Sequence, residues 1–313
     1  MPAKRAEILF YYDARMSNPN GDPDENRPRI DKITKKNYVT EFRLKRTIRD
    51  YLQKVLQMKI FMRQELVSDE GKELKRIEDL AKGYIKNGKL EREKLINEHI
   101  DIKLFGLLFA VEKIHFKQIG PVQFSIGQSL NIVEEIPIRM TRVVPTREDA
   151  KGGGFGEKYI VRYSFIGFHG FVNDFVATET DLSEEDIKIM LKALWRGTTT
   201  LSTTSKYGQQ SRLLLKINYK NEGYIGDLDL KAKLATKSES DPLENISQVV
   251  LNLQDLFDTF SHNSDIIESI EYVYSPELLC SFNNMQESFG NIINSLKNME
   301  DSKINNLFSE LDL

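Results

Sequence analysis

The sequence predicts an α+β fold built on a mostly antiparallel sheet. Three observations carry this prediction. The 313 residues are 40 % hydrophobic and 29 % charged, a core-forming composition and not a disordered or membrane one. The candidate elements run β–α–insertion–α–β–β–β–α–β, an order that suits antiparallel strands interleaved with helices. The chain also nears the size at which a single core stops growing, so one main domain with large insertions, or two domains, is expected.

Residues 6–13 (Ala-Glu-Ile-Leu-Phe-Tyr-Tyr-Asp) read as a buried strand. The run Asn18-Pro19-Asn20-Gly21-Asp22-Pro23 that follows is a loop, because proline and glycine break regular structure there. Thr40 is a candidate N-cap, with Glu41 in the first turn, for a helix reaching about Gln57. Leu44, Ile48, Tyr51, Leu52, Val55 and Leu56 share one stripe of that helix, while Lys45, Arg46 and Arg49 occupy another sector.

Residues 59–100 are charge-dense and glycine-punctuated and read as a helical insertion off the main core. Asp101 to Val111 reads as a short apolar helix, and Gly120 to Ile126 as a strand. Ile136–Val144 and Tyr159–Val172 are extended stretches on either side of Gly152-Gly153-Gly154-Phe155-Gly156, the pattern of a hairpin with a long glycine-rich tip. A helix begins at Asp181 or Ser183 and ends near Trp195, and Leu213–Tyr219 is a strand. The remainder is expected to hold helices at about 246–260 and 282–299 and a strand at Glu268–Val273.

The formal charge of -3 conceals a strong polarity. After residue 238 there are 14 acidic residues against two lysines, a net of -12, which leaves +9 on the first 238 residues. Within these, Arg27 to Arg49 carries nine basic and two acidic residues. A polarised chain of this kind can bind a polyanion with one end and keep an assembly soluble with the other. No apolar run approaches the ~20 residues of a membrane span, Met1-Pro2-Ala3-Lys4-Arg5 does not begin a signal peptide, and the lone Cys280 forms no internal disulfide. The cytoplasm is the expected compartment.

Enzymatic patterns are weak. His99, His115, His169 and His262 show no metal-ligand spacing, and the glycine run is neither a Walker loop nor a dinucleotide fingerprint. No cofactor or metal is expected. The one enzymatic reading retained is a divalent cation held by Asp22, Asp24 or Asp31 for phosphodiester cleavage. The nucleic-acid pattern is better. Arg27, Arg29, Lys32, Lys35 and Lys36 lead into Lys45, Arg46 and Arg49, and the small polar residues Asn18, Asn20 and Thr40 let backbone amides approach phosphates closely.

These residues also carry a resemblance. Asn18-Pro19-Asn20-Gly21-Asp22-Pro23, Asn26-Arg27-Pro28-Arg29, Val39-Thr40 and Arg43-Leu44-Lys45-Arg46 through Arg49-Asp50-Tyr51 resemble the Cas7 family of type I CRISPR surveillance (Cascade) complexes, with closest similarity to the Csh2 branch of subtype I-B. Leu104-Phe105-Gly106, Gly120-Pro121-Val122-Gln123-Phe124, Gly127-Gln128-Ser129-Leu130, Phe168-His169-Gly170-Phe171-Val172 and Ser205-Lys206-Tyr207-Gly208 extend it collinearly to about residue 219.

The resemblance implies a ferredoxin-like, RRM-type palm (1–58 and 101–238), a helical finger insertion (59–100), a protruding β-hairpin thumb (about 138–162) and an acidic, α-rich C-terminal segment (239–313). It implies a non-catalytic subunit that stacks head to tail along CRISPR RNA, joins other Cascade subunits, and supports recognition of a target DNA strand, with no membrane partner. Its RNA-binding residues would be Asn20, Arg27, Arg29, Thr40, Arg43, Lys45, Arg46, Arg49, Gln123, Gln128, Ser129, Arg142 and Lys206. Met140, Val143, Val144 and Phe155 would form the thumb wedge. The alternative is a metal-dependent endoribonuclease using a loop aspartate.

Overall fold

A computed structural model describes residues 1–65, 74–111, 114–141, 155–235, 242–299 and 302–313. The first strand, β1 (Ala6–Ser17), alternates its side chains between two buried layers, as the period of two requires. Ile8, Phe10 and Tyr12 enter one core, and Leu9 and Tyr11 the other. A strand covered on both faces reads as a continuous apolar run, and this one does.

After β2 (Lys36–Val39) comes α1 (Glu41–Lys54), whose first turn is capped by Thr40 accepting from the Arg43 amide. Leu44, Ile48 and Leu52 are buried against the sheet, and each such side chain contributes roughly 2 kcal/mol. The 59–100 region is not all helix. It holds α2 (Ile77–Lys82), the small hairpin β3 (Ile85–Lys86) and β4 (Lys89–Leu90), and α3 (Arg92–Glu98). Its core joins Phe61, Ala81 and Leu95 to Leu107, Phe109 and Phe116, so the insertion runs past residue 100.

The expected helix at 101–111 is also corrected. It is α4 (Ile100–Phe105) followed by β5 (Gly106–Val111), which pairs with β6 (Ile114–Ile119). Gly106 lies at φ +74, and a Cβ there would meet Gln118 O at 2.3 Å. Only glycine adopts this backbone and tolerates this approach, so the helix stops there.

The sheet continues with β7 (Val122–Phe124), β8 (Gly127–Ile132), β9 (Glu135–Thr141) and the long β10 (Phe155–Val172). Next come α5 (Asp174–Glu179), α6 (Glu184–Thr200), capped by Ser183, and β11 (Gln209–Tyr219). The strand order β11-β1-β10-β8, with α1 and α6 as the crossovers, is the 4-1-3-2 arrangement of a ferredoxin-like βαββαβ unit. The fold is therefore α+β with a mostly antiparallel sheet.

The hairpin leaves this sheet. Residues 155–161 of β10 pair with β9, whereas β1 pairs with β10 only from Val161 onward. The tip residues Arg142, Val143 and Val144 lie outside the described residues, and Phe155 is described only as backbone paired with Thr141.

The C-terminal part is mixed rather than α-rich. It contains β12 (Lys233–Leu234), β13 (Val250–Asn252), α7 (Gln254–His262), β14 (Ile267–Tyr274), β15 (Leu279–Phe282), β16 (Met285–Ser288), α8 (Phe289–Lys297) and β17 (Phe308–Glu310). The expected helix at 246–260 begins only at Gln254, because Val250–Asn252 pairs in parallel with β15. Likewise, 282–288 is strand and turn before α8. Strand β14 extends the main sheet beyond β11. Leu256, Phe257, Phe260, Ile292 and Ile293 pack with Leu9 and Tyr11, on the face away from α1.

Candidate nucleic-acid interface

Helix α1 gathers its cations on one side. By the 100° step of an α-helix, Lys45, Arg49, Phe42, Arg46 and Arg43 fall in sequence around that face. Phe42 is 73 % exposed in their midst. An exposed aromatic ring between cations is a surface on which a nucleobase can stack while its phosphates are neutralised. Phe42 lies outside the residues the family resemblance implies for RNA contact, although its position on the helical wheel places it among the cations.

Each cation is held differently. Arg46 is half-exposed and paired with Asp50 at 3.0 Å, one turn along. Lys45 is buried, its Nζ donating to Gln123 Oε1 at 2.9 Å and lying 5.3 Å from the Phe105 ring centroid. Burial draws the Lys45 pKa down, and neighbouring Arg49 adds to this. Arg49 donates to Asp101 Oδ2 at 3.0 Å, and that carboxylate is wholly buried, also accepting from the Phe61 and Met62 amides. Lys45 and Arg49 thus join α1 to the insertion and to β7. Among this sector's three cations, expected as RNA contacts, Arg46 is the one open to solvent, while Lys45 and Arg49 are engaged within the fold.

The Asn/Pro/Gly loop is ordered against the start of α1. Asn20 Oδ1 accepts from the Thr40 amide at 2.9 Å and from its hydroxyl at 3.0 Å. Arg29 Nε donates to Gly21 O at 3.3 Å. Arg27 pairs with Glu135 and lies 4.6 Å from the Tyr159 ring centroid, at the root of the β9–β10 hairpin. Here a cavity of about 260 Å³ is lined by Asn26, Met140, Lys158, Tyr159, Thr204 and Ser205 among others. Met140 is thus described at the hairpin root, partly exposed.

Lys206 sits beside this root and donates to Asn18 O at 2.5 Å. Burial pulls its pKa down to about 7, reinforced by the positive charges of Arg43 and Lys158. Nearby, Ser17 Oγ, Asn18 Oδ1 and Gln209 Nε2 are buried without a hydrogen-bond partner. Cations and unsatisfied polar atoms therefore converge where the loop, α1 and the 203–208 turn meet. Tyr207, next in the chain, is 75 % exposed.

Two expected residues lie elsewhere. Ser129 is buried, its hydroxyl accepting from the Asn37 amide and donating to Asn131 O. It is a structural residue at the β2–β8 edge and not a groove contact. Gln128 lines a cavity with Tyr11 and Leu130, on the face opposite α1, because the alternation of β8 sends it there. Gln123, by contrast, is beside Lys45, as expected.

The loop acids hold turns. Asp22 Oδ1 accepts from the Glu25 amide at 2.9 Å, and Asp31 Oδ1 accepts from the Ile33 and Thr34 amides and the Thr34 hydroxyl. The backbone and side chain of Thr34 lower the Asp31 pKa. Among the described residues no acid beyond residue 241 is in salt-bridge contact with the strip from Arg27 to Arg49. No helix among them is long and apolar enough to cross a membrane.

The sequence matches the family model for CRISPR-associated protein Cas7 over residues 4–254. The chain belongs to the Cas7 family. It is also similar to the CRISPR-associated protein Cas7 of Haloferax volcanii, 29 % identical over 305 residues and covering 86 % of each chain. The Cas7-family fold recurs in a chain of a CRISPR RNA-guided surveillance complex in its pre-nicking form, with TM-score 0.55, 12 % identity and coverage of 93 % and 98 % of the two chains. A second CRISPR RNA-guided surveillance complex gives TM-score 0.51 at 13 % identity, covering 90 % of each.

Proposed function

We propose that this chain is a non-catalytic CRISPR RNA-binding backbone subunit of a type I complex, of the I-B kind. Copies would stack head to tail along the guide, beside other Cascade subunits, support pairing with target DNA and work in the cytoplasm in antiviral defence. The observation that carries this reading is the surface where exposed Phe42 and half-exposed Arg46 of α1 adjoin the ordered Asn20–Thr40 loop contact, Lys206 and the hairpin root. Such a face neutralises backbone phosphates and stacks bases without reading their identity, as a guide of arbitrary sequence demands. Specificity is then left to base pairing. The palm would be the ferredoxin-like unit, the fingers the insertion around the Phe61–Phe116 core, and the thumb the β9–β10 hairpin with Met140 at its root.

The endoribonuclease reading would need a free loop carboxylate. Asp22 and Asp31 are engaged in capping turns, which leaves Asp24 as the one loop aspartate without such a bond among the described residues. The protein expressed alone should co-purify with RNA, visible as a raised 260/280 absorbance ratio. Phe42→Ala with Arg46→Glu should strip that RNA while leaving the melting temperature unchanged. RNA retained at high salt by this variant would remove α1 from the interface. Regularly spaced cleavage of a complementary RNA in magnesium, lost in Asp22→Asn, Asp24→Asn or Asp31→Asn, would establish the enzyme instead.

A further inference from the structure

The sheet face turned away from α1 carries a cavity of about 670 Å³, between strands β1, β2, β8 and β10 and the segment around Asp229–Leu234. It stands apart from the candidate guide-binding face, and the inference drawn from it does not depend on that reading. Gly167 sets its floor. A Cβ at this position would meet Tyr11 Cε1 at 2.8 Å and Leu130 Cδ1 at 3.2 Å, so glycine lets the Tyr11 ring and Leu130 close over β10. The Tyr11 hydroxyl is fully buried and has no hydrogen-bond partner.

The polar groups are distributed unevenly across the cavity. At the β2 edge, the Lys36 ammonium has no carboxylate partner among the described residues, and the Tyr38 ring is half-exposed beside it. On the neighbouring strand, the Gln128 amide is exposed and makes no hydrogen bond among the described residues. On the far side, above β10 and β1, Asp229 supplies a partly exposed carboxylate, one oxygen of which lies 3.8 Å from His169 Nδ1. From β2 to β1 there are three strand spacings, roughly 14 Å. A cation at one end, an aromatic ring and an amide next to it, then an apolar floor ending in a carboxylate, is complementary to a nucleotide laid across the sheet. Its phosphate meets Lys36, its sugar meets Tyr38 and Gln128, and its base covers Leu130 and Gly167. A base amino group donates to Asp229.

We propose that this cavity binds a nucleoside monophosphate unit whose base carries an exocyclic amino group, either as a free nucleotide or as one residue of a single strand. The test uses the full chain and saturation-transfer NMR with GMP, AMP, CMP and UMP, followed by short single-stranded RNA to separate the two sources. GMP, AMP and CMP should bind more tightly than UMP. Lys36→Ala with Gln128→Ala, both at side chains that carry no structural contact, should weaken them about tenfold, the loss expected for a charge-assisted contact. Asp229→Asn should erase the discrimination against UMP. Phe42→Ala with Arg46→Glu should leave mononucleotide binding unchanged. Equal binding of UMP, full binding by the Lys36/Gln128 variant, no binding of any mononucleotide or oligonucleotide, or loss in the Phe42/Arg46 variant would each overturn the assignment. If single strands bind through Lys36 and Gln128 while mononucleotides do not, the source is a polymer.

Discussion

The Lys45 ammonium donates to the Gln123 side-chain carbonyl at 2.9 Å, tying the middle of α1 to β7 across 78 residues of sequence. A lysine so placed is a strut as well as a charge. The cationic side of α1 therefore has two parts, an inner pair that fixes the helix and an outer pair, Phe42 and Arg46, that reaches solvent, while Arg43 donates to the Thr47 hydroxyl at 3.0 Å. Substitutions on the two parts should separate cleanly.

Phe42→Ala removes a ring that is mostly exposed, so the fold should not notice. Binding of single-stranded RNA should weaken by about 1–3 kcal/mol, the usual worth of one base–aromatic stack. The salt dependence should stay the same, because no phosphate contact is lost. Fluorescence anisotropy over a salt series measures both quantities. A changed salt slope would mean that Phe42 acts by holding the cations in place.

Asp101→Ala has the opposite signature. The carboxylate is buried and holds Arg49 and the Phe61 and Met62 amides. Its removal leaves a cation and two donors without a partner, a loss of roughly 3–5 kcal/mol. The urea midpoint should fall accordingly, and the insertion should loosen from α1 before the sheet unfolds. Hydrogen exchange at residues 59–65 against that in β1 would show the order.

What the sequence made legible follows from what is local. Thr40, the Leu44–Ile48–Leu52 stripe and Ser183 announce α1 and α6 because caps and helical periods are written within a few residues. Strands β2 and β8 escaped notice because they are short and paired at a distance, Tyr38 against Gln128. The helix at 101–111 was half wrong because the apolar run continues through Gly106, whose φ of +74 turns helix into strand. The site divides in the same way. Arg46 and Phe42 can be placed on a helical wheel, whereas the burial of Lys45 and Arg49 depends on Phe105, Asp101 and Gln123 arriving from elsewhere. Gln128 fell on the wrong face because motif order carries no information about which side of a strand looks toward α1.

On the proposed function, Lys206 should make RNA binding depend on pH. Its folded pKa of about 7 lies below the ordinary 10.5, so the free protein holds this amine neutral above pH 7. A phosphate beside it restores the charge, and binding then takes up a proton. Affinity should be steady below pH 7 and decline above it, approaching about tenfold per pH unit. Lys206→Arg should abolish the decline, since guanidinium keeps its charge. The same linkage makes the free protein more stable as pH rises from 7 toward 10.5, where the unfolded chain binds the extra proton. Anisotropy titrations from pH 6 to 9 test the first claim, and a flat wild-type profile would remove Lys206 from the phosphate path.

Glu7 and His169 supply a second pH dependence, this one in stability alone. Glu7 is buried, accepts from His169 Nε2 at 2.7 Å and the Tyr219 hydroxyl, and holds the Ile225 and Gly226 amides at 3.2 Å. Burial alone would raise its pKa, but these hydrogen bonds outweigh burial and lower it below 4.5. Burial likewise pushes His169 down, and the hydrogen bond and charge of Glu7, with the charges of Asp229 and Asp227, outweigh it and raise the imidazole above 6.5. A depressed acid stabilises above its unfolded pKa and loses that contribution as pH falls through the folded value. A raised base stabilises below its unfolded pKa and loses its contribution as pH rises through the folded value. Both contributions are present together between about pH 4.5 and 6.5, where stability from this pair should peak. Glu7→Gln should lower stability most in that window, because His169 then keeps only the more distant Asp229 carboxylate at 3.8 Å and the 225–231 segment loses its anchor. Urea denaturation of wild type and variant across the range would show it, and a difference that is constant with pH would mean that Glu7 contributes through hydrogen bonds without the ion pair.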